Sequence, residues 1–553
     1  MSGRAAGGLR RPALLLGWLL TVGCQSLSGV GSLEVQGRIG APCGADAACV
    51  SGHCVDDVCC PSACEQPCRS CNLPGSVGTC APRPAGDDPA GGCGTGMSCN
   101  GHGSCFELDP LWAVTLPRPN LDEEPGGLSV DASGNVTTTG IWYQEGGSTD
   151  MDVFIAKLDR HGNPSWSGTL GGPFRQLGEH VAHDLHDGAT YVAGPFAGTL
   201  DFGVPPFDAT GAPPLASPCT AGSAPIPCCA FLARLTGDGR YDWSTAIGHE
   251  SSCVTLGAMA SLGPDLDPSA GVVLAGTLAG AVDVGTVPVG STADSEDVLV
   301  ARIDAAGSAL WASAFGDGAA QGGSAVAVDP RPEAARLVVA GIYQGDLDLG
   351  GGPLPTVGET NLFVAAFSLG GAPLWSRGFP ATGAIHAAAV SVDEVGNVVV
   401  AGDLAGSLDL GVAGLLTTDD QGIFVVQLSP AGEPAWSRQL TAAGWLSAIA
   451  MVHDPAAGTT ILGGDFSADV DLGGGTFSPV GRDTYLLALG PDGGHRWSVQ
   501  LGGADNEYLR GLALDGDGNV VVGGELNGEL AVGDTILSTG NSKDVFVTKL
   551  AIH

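Results

Sequence analysis

The sequence predicts an all-β fold, a seven-bladed β-propeller of four-stranded blades preceded by a small disulfide-rich module, on three observations. Tryptophan recurs through most of the 553 residues, as Trp112, Trp166, Trp243, Trp311, Trp375, Trp436 and Trp497. Six of these close a phrase of constant length that begins at Asp152, Cys229, Asp297, Asn361, Gly422 and Asp483, each fourteen residues before its Trp. Ten residues into every phrase stands a glycine: Gly162, Gly239, Gly307, Gly371, Gly432 and Gly493. A fixed glycine between two alternating apolar runs marks a hairpin turn in a left-handed conformation that a Cβ would strain. The composition agrees, with 90 Gly and 36 Pro against 6% aromatic residues. That favours many short strands and turns over helices.

Each Trp leads into a second pair of strands. VDASGNVTTTG (130–140), VDEVGNVVVAG (392–402) and LDGDGNVVVGG (514–524) show alternation, a turn built on Asp and Gly-Asn, and a β-branched run ending in glycine. That last glycine recurs as Gly140, Gly194, Gly276, Gly341, Gly402, Gly464 and Gly524. Two hairpins per unit make four strands, and each four-stranded sheet buries its faces on its neighbours. The Trp side chains are expected between blades, each indole N–H bonded to a carbonyl.

The phrase DVFVTKLAIH (544–553) stops before its Trp, while LDPLWAVTLPR (108–118) supplies a Trp strand with nothing before it. Pairing the two completes one blade from both ends of the repeat region and closes the ring.

Four segments follow: an export signal (1–23), a tether (24–41), a Cys-rich module (42–107) and the propeller (108–553). MSGRAAGGLRR followed by ALLLGWLLTVG has a charged start and a short apolar core. It ends at Leu20-Thr21-Val22-Gly23-Cys24, which resembles a bacterial lipoprotein cleavage site and implies acylation of Cys24 and a membrane anchor. Ordinary secretion is the alternative. Without Cys24, the 17 cysteines divide into twelve between 43 and 105 and four at Cys219, Cys228, Cys229 and Cys253. Both groups are even, as disulfide pairing within each requires in an oxidising compartment. Cys68-Arg-Ser-Cys71 also has zinc-knuckle spacing. CVSGHCVDDVCCPSACEQPCRSCNLPGSVGTC (49–80) resembles a Cys-rich module of exported myxobacterial proteins.

The repeats DVFIAKLDRHGNPSW, VDEVGNVVVAG and AGSLDLG resemble the SBBP family, seven-bladed propeller repeats of exported bacterial proteins. The resemblance covers nearly all of 108–553 and implies the fold and a surface location more than an activity.

The excess of 59 acidic over 22 basic residues, formally −37, disfavours nucleic acid and anionic membranes as partners. Four features raise chemistry. Asp201, Asp283, Asp348, Asp409 and Asp471 recur seven residues after the blade glycine, as turn residues or as calcium ligands. Asp515-Gly-Asp517-Gly-Asn519 opens like a calcium loop but lacks the glutamate at its twelfth position. GEHVAHDLHD (178–187) carries His180, His183 and His186, but on a strand 180 and 183 face opposite sides. ARIDAAGSALW (301–311) resembles the docking phrase of quinoprotein dehydrogenases, which is a blade-packing device in those propellers.

A Pro-rich insertion, DATGAPPLASPCTAGSAPIPCC (208–229), singles out the second blade and is a natural place for a binding surface. The leading expectation is a non-catalytic, exported surface lipoprotein that binds or displays a protein or glycan. The alternatives are an enzyme using the axial funnel and a structural envelope component. A funnel lined by convergent acids, His or Arg would favour the enzyme, and one lined by small residues would favour binding.

Overall fold

The computed structural model describes residues 38–64 and 68–83, positions 93, 97, 99 and 105, and 108–552. Within the last range 117–122, 144–150, 185, 204–205, 209–212, 220–227, 251, 292–294 and 534 are left out. The signal, the tether and Cys24 lie outside the described residues. Among these there is strand and turn, three 3-10 turns, and no helix long and apolar enough to cross a membrane.

Two compact units emerge. One runs up to Cys64 and resumes at Ser70–Ala81; the other comprises Glu65–Arg69 and Pro82–His553. The first is a set of short hairpins held by Cys43–Cys54, Cys49–Cys59, Cys60–Cys71 and Cys64–Cys80. With almost no apolar core of its own, such a unit depends on its bridges. Cys68 and Cys71 go to different partners, Cys99 and Cys60, so their spacing serves two bridges. A further bridge, Cys93–Cys105, precedes the first propeller strand.

The second unit is a seven-bladed propeller. In blade 1 the antiparallel strands run outward as Glu123–Val130, Val136–Tyr143, Met151–Leu158 and Pro164–Leu170. The strands of each blade are called A to D from the axis outward. The A strands of blades 2 to 7 are His180–His183, Cys253–Leu262, Gln321–Val328, Ala381–Val392, Leu446–Asp454 and Glu507–Leu514. Neighbouring A strands touch in a complete ring, blade 7 against blade 1 included.

Blade 7 closes as the sequence requires. Its C strand, Thr535–Ile552, pairs with Val520–Val532 on one side and with Leu108–Leu116 on the other, Lys549 opposite Trp112.

The repeated residues have distinct physical jobs. A Cβ on Gly162 (φ +82°) would lie 2.8 Å from the Trp112 ring, and each later hairpin glycine meets the preceding blade's Trp in the same way, up to Gly493 against Trp436. The indole N–H of five Trp donates to a carbonyl of that turn, as from Trp112 to Arg160 (3.0 Å) and from Trp243 to Ala305 (2.9 Å). Trp166 departs from the pattern: its Nε1–H is buried without an acceptor, and its ring packs edge-on against Phe207, just before the insertion, centroids 6.4 Å apart. Trp497 has no such turn to cover, because the C and D strands of blade 7 come from distant parts of the chain. It is buried instead, 1% exposed.

The second recurring glycine marks a close approach. A Cβ on Gly140 would meet the Glu124 carbonyl oxygen at 2.2 Å and the Phe154 ring at 2.5 Å. Gly341, Gly402 and Gly524 meet Phe363, Phe424 and Phe546 likewise, which explains the aromatic residue of the DVF phrase.

The lysine of the same phrase is a staple between blades. Lys157 is buried, pairs with Asp131 at 2.9 Å, and reaches the carbonyls of Gly188 and Gly237 in blade 2. Lys549 repeats this across the closure, with Asp515 at 2.8 Å and the carbonyls of Gly134 and Arg160 in blade 1.

Candidate functional site: the loop-bearing face and the axial channel

Because the strands alternate in direction, every A–B and C–D turn lies on one face and every B–C and D–A connection on the other. Three A–B turns are built alike, whereas those of blade 3 (263–270) and blade 4 (329–335, with a 3-10 turn at Pro332–Ala334) are longer. Asp131, Asp393 and Asp515 each accept backbone N–H bonds two and four residues on, and each is bonded by an Asn side chain. Burial pushes the Asp515 carboxyl up, but the bonds from Asn519 and Lys549 outweigh it and leave it below the ordinary range. Its oxygens serve the Asp517 and Asn519 N–H groups, the Asn519 amide and the Lys549 ammonium. Asp517 is 69% exposed and 3.4 Å from Arg160. Asp515, Asp517 and Asn519 thus form a turn and two ion pairs, and the place of a cation beside Asp515 is held by Lys549.

The Asp of the DLG-like phrases behaves similarly. Asp201, Asp348, Asp409 and Asp471 accept the N–H of the glycine two residues on, at 2.8–2.9 Å, and Asp283 pairs within the hairpin 281–290. They sit on separate blades and are exposed.

The three histidines part company. Nε2 of His180 lies 3.1 Å from the Leu256 carbonyl of blade 3 and must carry the proton it donates. His183 turns to blade 1, between Ser129 Oγ and Thr137 Oγ1 (both 2.9 Å), where burial pushes its pKa down to about 3. His186 is exposed on the next turn.

The loop-bearing face carries the insertion of blade 2. The insertion is held by Cys219–Cys229 and Cys228–Cys253, and Leu215–Ala216 pairs with Thr199–Leu200. Phe207, just before the insertion, is fully buried against blade 1.

At the axis is a cavity of about 320 Å³. Six A strands contain a β-bulge opposite the blade glycine, and the skipped residues are Gly126, Gly257, Ser324, Ala388, Ile449 and Arg510. Bulges re-aim side chains, and all six skipped residues line the axial cavity together with Glu179 of blade 2. Behind them run a ring of small residues, interrupted by His180, and a ring of Leu, Val and Met. The axial lining is thus mostly small and aliphatic.

Buried acids hold the bulges in place. Asp403 and Asp465 follow the blade glycines of blades 5 and 6 and accept the backbone N–H of Ala448 and Leu509, each just before a bulged residue of the next blade. Burial pushes Asp465 up to about 6 and Glu179 up to about 7.

Glu507 opens the A strand of blade 7 as Gln321 opens that of blade 4. Gln321 accepts the Asp317 N–H and donates its amide to the Gln344 carbonyl at 2.7 Å. Glu507 accepts the Gly503 N–H at 2.9 Å, but its buried Oε1 has no partner. Burial, with Asp483 and Asp505 nearby, pushes its pKa to about 7, so below that value it is a protonated stand-in for glutamine. Its stabilising contribution is complete below the ordinary 4.5 and is lost as pH rises through about 7. Glu507→Gln is therefore expected to be about 1–3 kcal/mol more stable than wild type at pH 8, the gain vanishing at pH 4.5. Urea midpoints across that range check it; a pH-independent difference overturns the protonated form.

A second group lies on this face over blades 6 and 7. The Arg482 guanidinium stands over the Trp445 ring at 4.5 Å and the Tyr508 ring at 5.1 Å, with Arg510 over Tyr508 at 5.5 Å. Glu525 lies 3.9 Å from Arg510 and 2.7 Å from Lys543. Sequence reasoning missed this group. The available signal was Trp445, which stands outside the Trp repeat.

Fold and site together define a disulfide-stapled seven-bladed β-propeller that carries its bridged insertion on the loop-bearing face. Eight disulfides place it in an oxidising environment. No protein-family model and no curated protein matches the chain. Among solved structures, a protein of unknown function from Dyadobacter fermentans is similar at 11% identity and TM-score 0.38, over 81% of this chain and 99% of that one. Sqt1 from Chaetomium thermophilum is similar at 11% identity and TM-score 0.40, over 80% and 99%.

Proposed function

We propose that the protein is a non-catalytic binding scaffold of the bacterial cell surface, of the SBBP type, anchored through an acylated Cys24, with the loop-bearing face as its ligand surface. The observation that carries this reading is the axial lining of small and aliphatic residues, in which the polar exceptions are scattered. They are Glu179 and His180 of blade 2, Ser324 of blade 4 and Arg510 of blade 7, and His180 and Ser324 are committed to backbone carbonyls. Loops carried on a rigid ring are a general design for recognition.

The test is capture from intact cells and glycan arrays with matched exposed substitutions on the two faces. Val357→Glu and Val480→Glu change B–C loops, whereas Val395→Glu changes an A–B turn; all three side chains are more than half exposed. Capture falls about tenfold for a loop-face variant at the contact and is unchanged for Val395→Glu. Loss confined to the turn face, or no captured partner at all, overturns the proposal.

A further inference from the structure

We infer that the strip formed by Trp445, Arg482, Tyr508 and Arg510 recognises a carboxylated glycan, with Arg482 as the anchor for a uronate carboxylate. This rests on the binding reading above and supplies the chemistry of the ligand.

The first ground is the state of Arg482. Its guanidinium is in contact with two aromatic rings, Trp445 at 4.5 Å and Tyr508 at 5.1 Å. Among the described residues Arg482 makes no ion pair, and its buried Nε–H has no acceptor. This occurs in a chain with 59 acidic residues to offer. Asp465 acts on Arg482 through its charge, yet its Oδ1 is taken by the Leu509 N–H and Thr484 Oγ1. A desolvated donor left without an acceptor costs stability, and such exceptions concentrate at sites that an outside group completes. A planar guanidinium held against aromatic rings has a two-pronged N–H edge that matches a carboxylate.

The second ground is the platform beside it. Trp445 is 44% exposed, so part of its indole remains open at the surface next to the guanidinium. An apolar ring face beside a carboxylate-binding edge fits a pyranose bearing a carboxyl group. Arg510 extends the strip from Tyr508 to the rim of the axial channel, with the buried Glu525 at 3.9 Å. An acidic peptide would use the charge but not the ring platform.

The experiment is titration of the full chain with an oligogalacturonate, its carboxyl-reduced neutral counterpart, and polyglutamate. Wild type binds the oligogalacturonate, and Arg482→Gln weakens binding about 30-fold. Trp445→Ala weakens it about tenfold, and carboxyl reduction of the sugar acts like loss of the arginine. Arg482→Lys keeps the charge without the planar edge and restores only part of the loss. Arg240→Gln, an exposed charge on the turn face, changes nothing. Unshifted thermal unfolding of Trp445→Ala, whose side chain is at the surface, separates lost recognition from lost folding. Binding of polyglutamate as strong as that of the sugar overturns the glycan assignment. So does absence of oligogalacturonate binding, or binding indifferent to Arg482→Gln. Should those results coincide with loop-face loss of some other captured ligand, the scaffold reading stands while the uronate reading falls.

Discussion

Removal of residues 544–553 unfolds the propeller rather than trimming it. The segment supplies the inner part of a strand bonded on both sides, to Val520–Val532 and to Leu108–Leu116. Val545, Phe546 and Val547 are fully buried, and Leu550 is 2% exposed. Each such side chain contributes roughly 1.5–3 kcal/mol by burial alone. Four of them are comparable to the whole stability of a typical domain, about 5–15 kcal/mol. The deletion also strands Leu108–Leu116 without a neighbour and opens the junction between blades 7 and 1. Circular dichroism on heating should show the cooperative transition lost or shifted far down. An unchanged transition would refute closure by this strand.

The next largest effect belongs to Lys549→Met. Lys549 and Asp515 are each 4% exposed at 2.8 Å, so removing the ammonium leaves a carboxylate buried without its counter-charge. Breaking one side of a buried pair costs about 3–5 kcal/mol. Here the change also removes the bonds to the Gly134 and Arg160 carbonyls, which belong to blade 1. The loss should therefore be accompanied by faster amide exchange along 108–116, the strand that lies between them. Lys157→Met makes the same change between blades 1 and 2 and serves as the control: its stability cost is similar, but 108–116 stays protected. The double variant Lys549→Met/Asp515→Asn should recover part of the loss, since no unpaired charge remains. Equal protection in wild type and Lys549→Met would mean that the lysine is not part of the closure.

What was legible in the sequence was whatever repeats. Seven Trp and seven blade glycines count the blades, and the DVF strand without a Trp, set against the Trp strand without a DVF, gives the closure. Alternation alone separates His180 from His183, since residues three apart on a strand face opposite sides. The lysine of the DVF phrase was legible only as part of an alternating run; that it is buried depends on carbonyls two turns away in the neighbouring blade. The axial residues were hidden for a different reason. A bulge interrupts the period of two, so nothing in the local pattern marks Ser324, Ile449 or Arg510 as facing the axis. Trp445 and Arg482 escape because repetition was the guide and they do not repeat.

The closure has a consequence for how the protein is made. The hydroxyl of Thr548 donates to the carbonyl of Trp112 across a separation of 436 residues, so the earliest propeller strand waits for almost the latest. Ladders of such sequence separation form slowly. The bridges of the Cys-rich unit span only 10 to 16 residues and have no such wait. A chain secreted end first would thus emerge with its cystine unit oxidised and its propeller still open. The ring becomes whole only once the strand ending at Ile552 has paired with Leu108–Leu116.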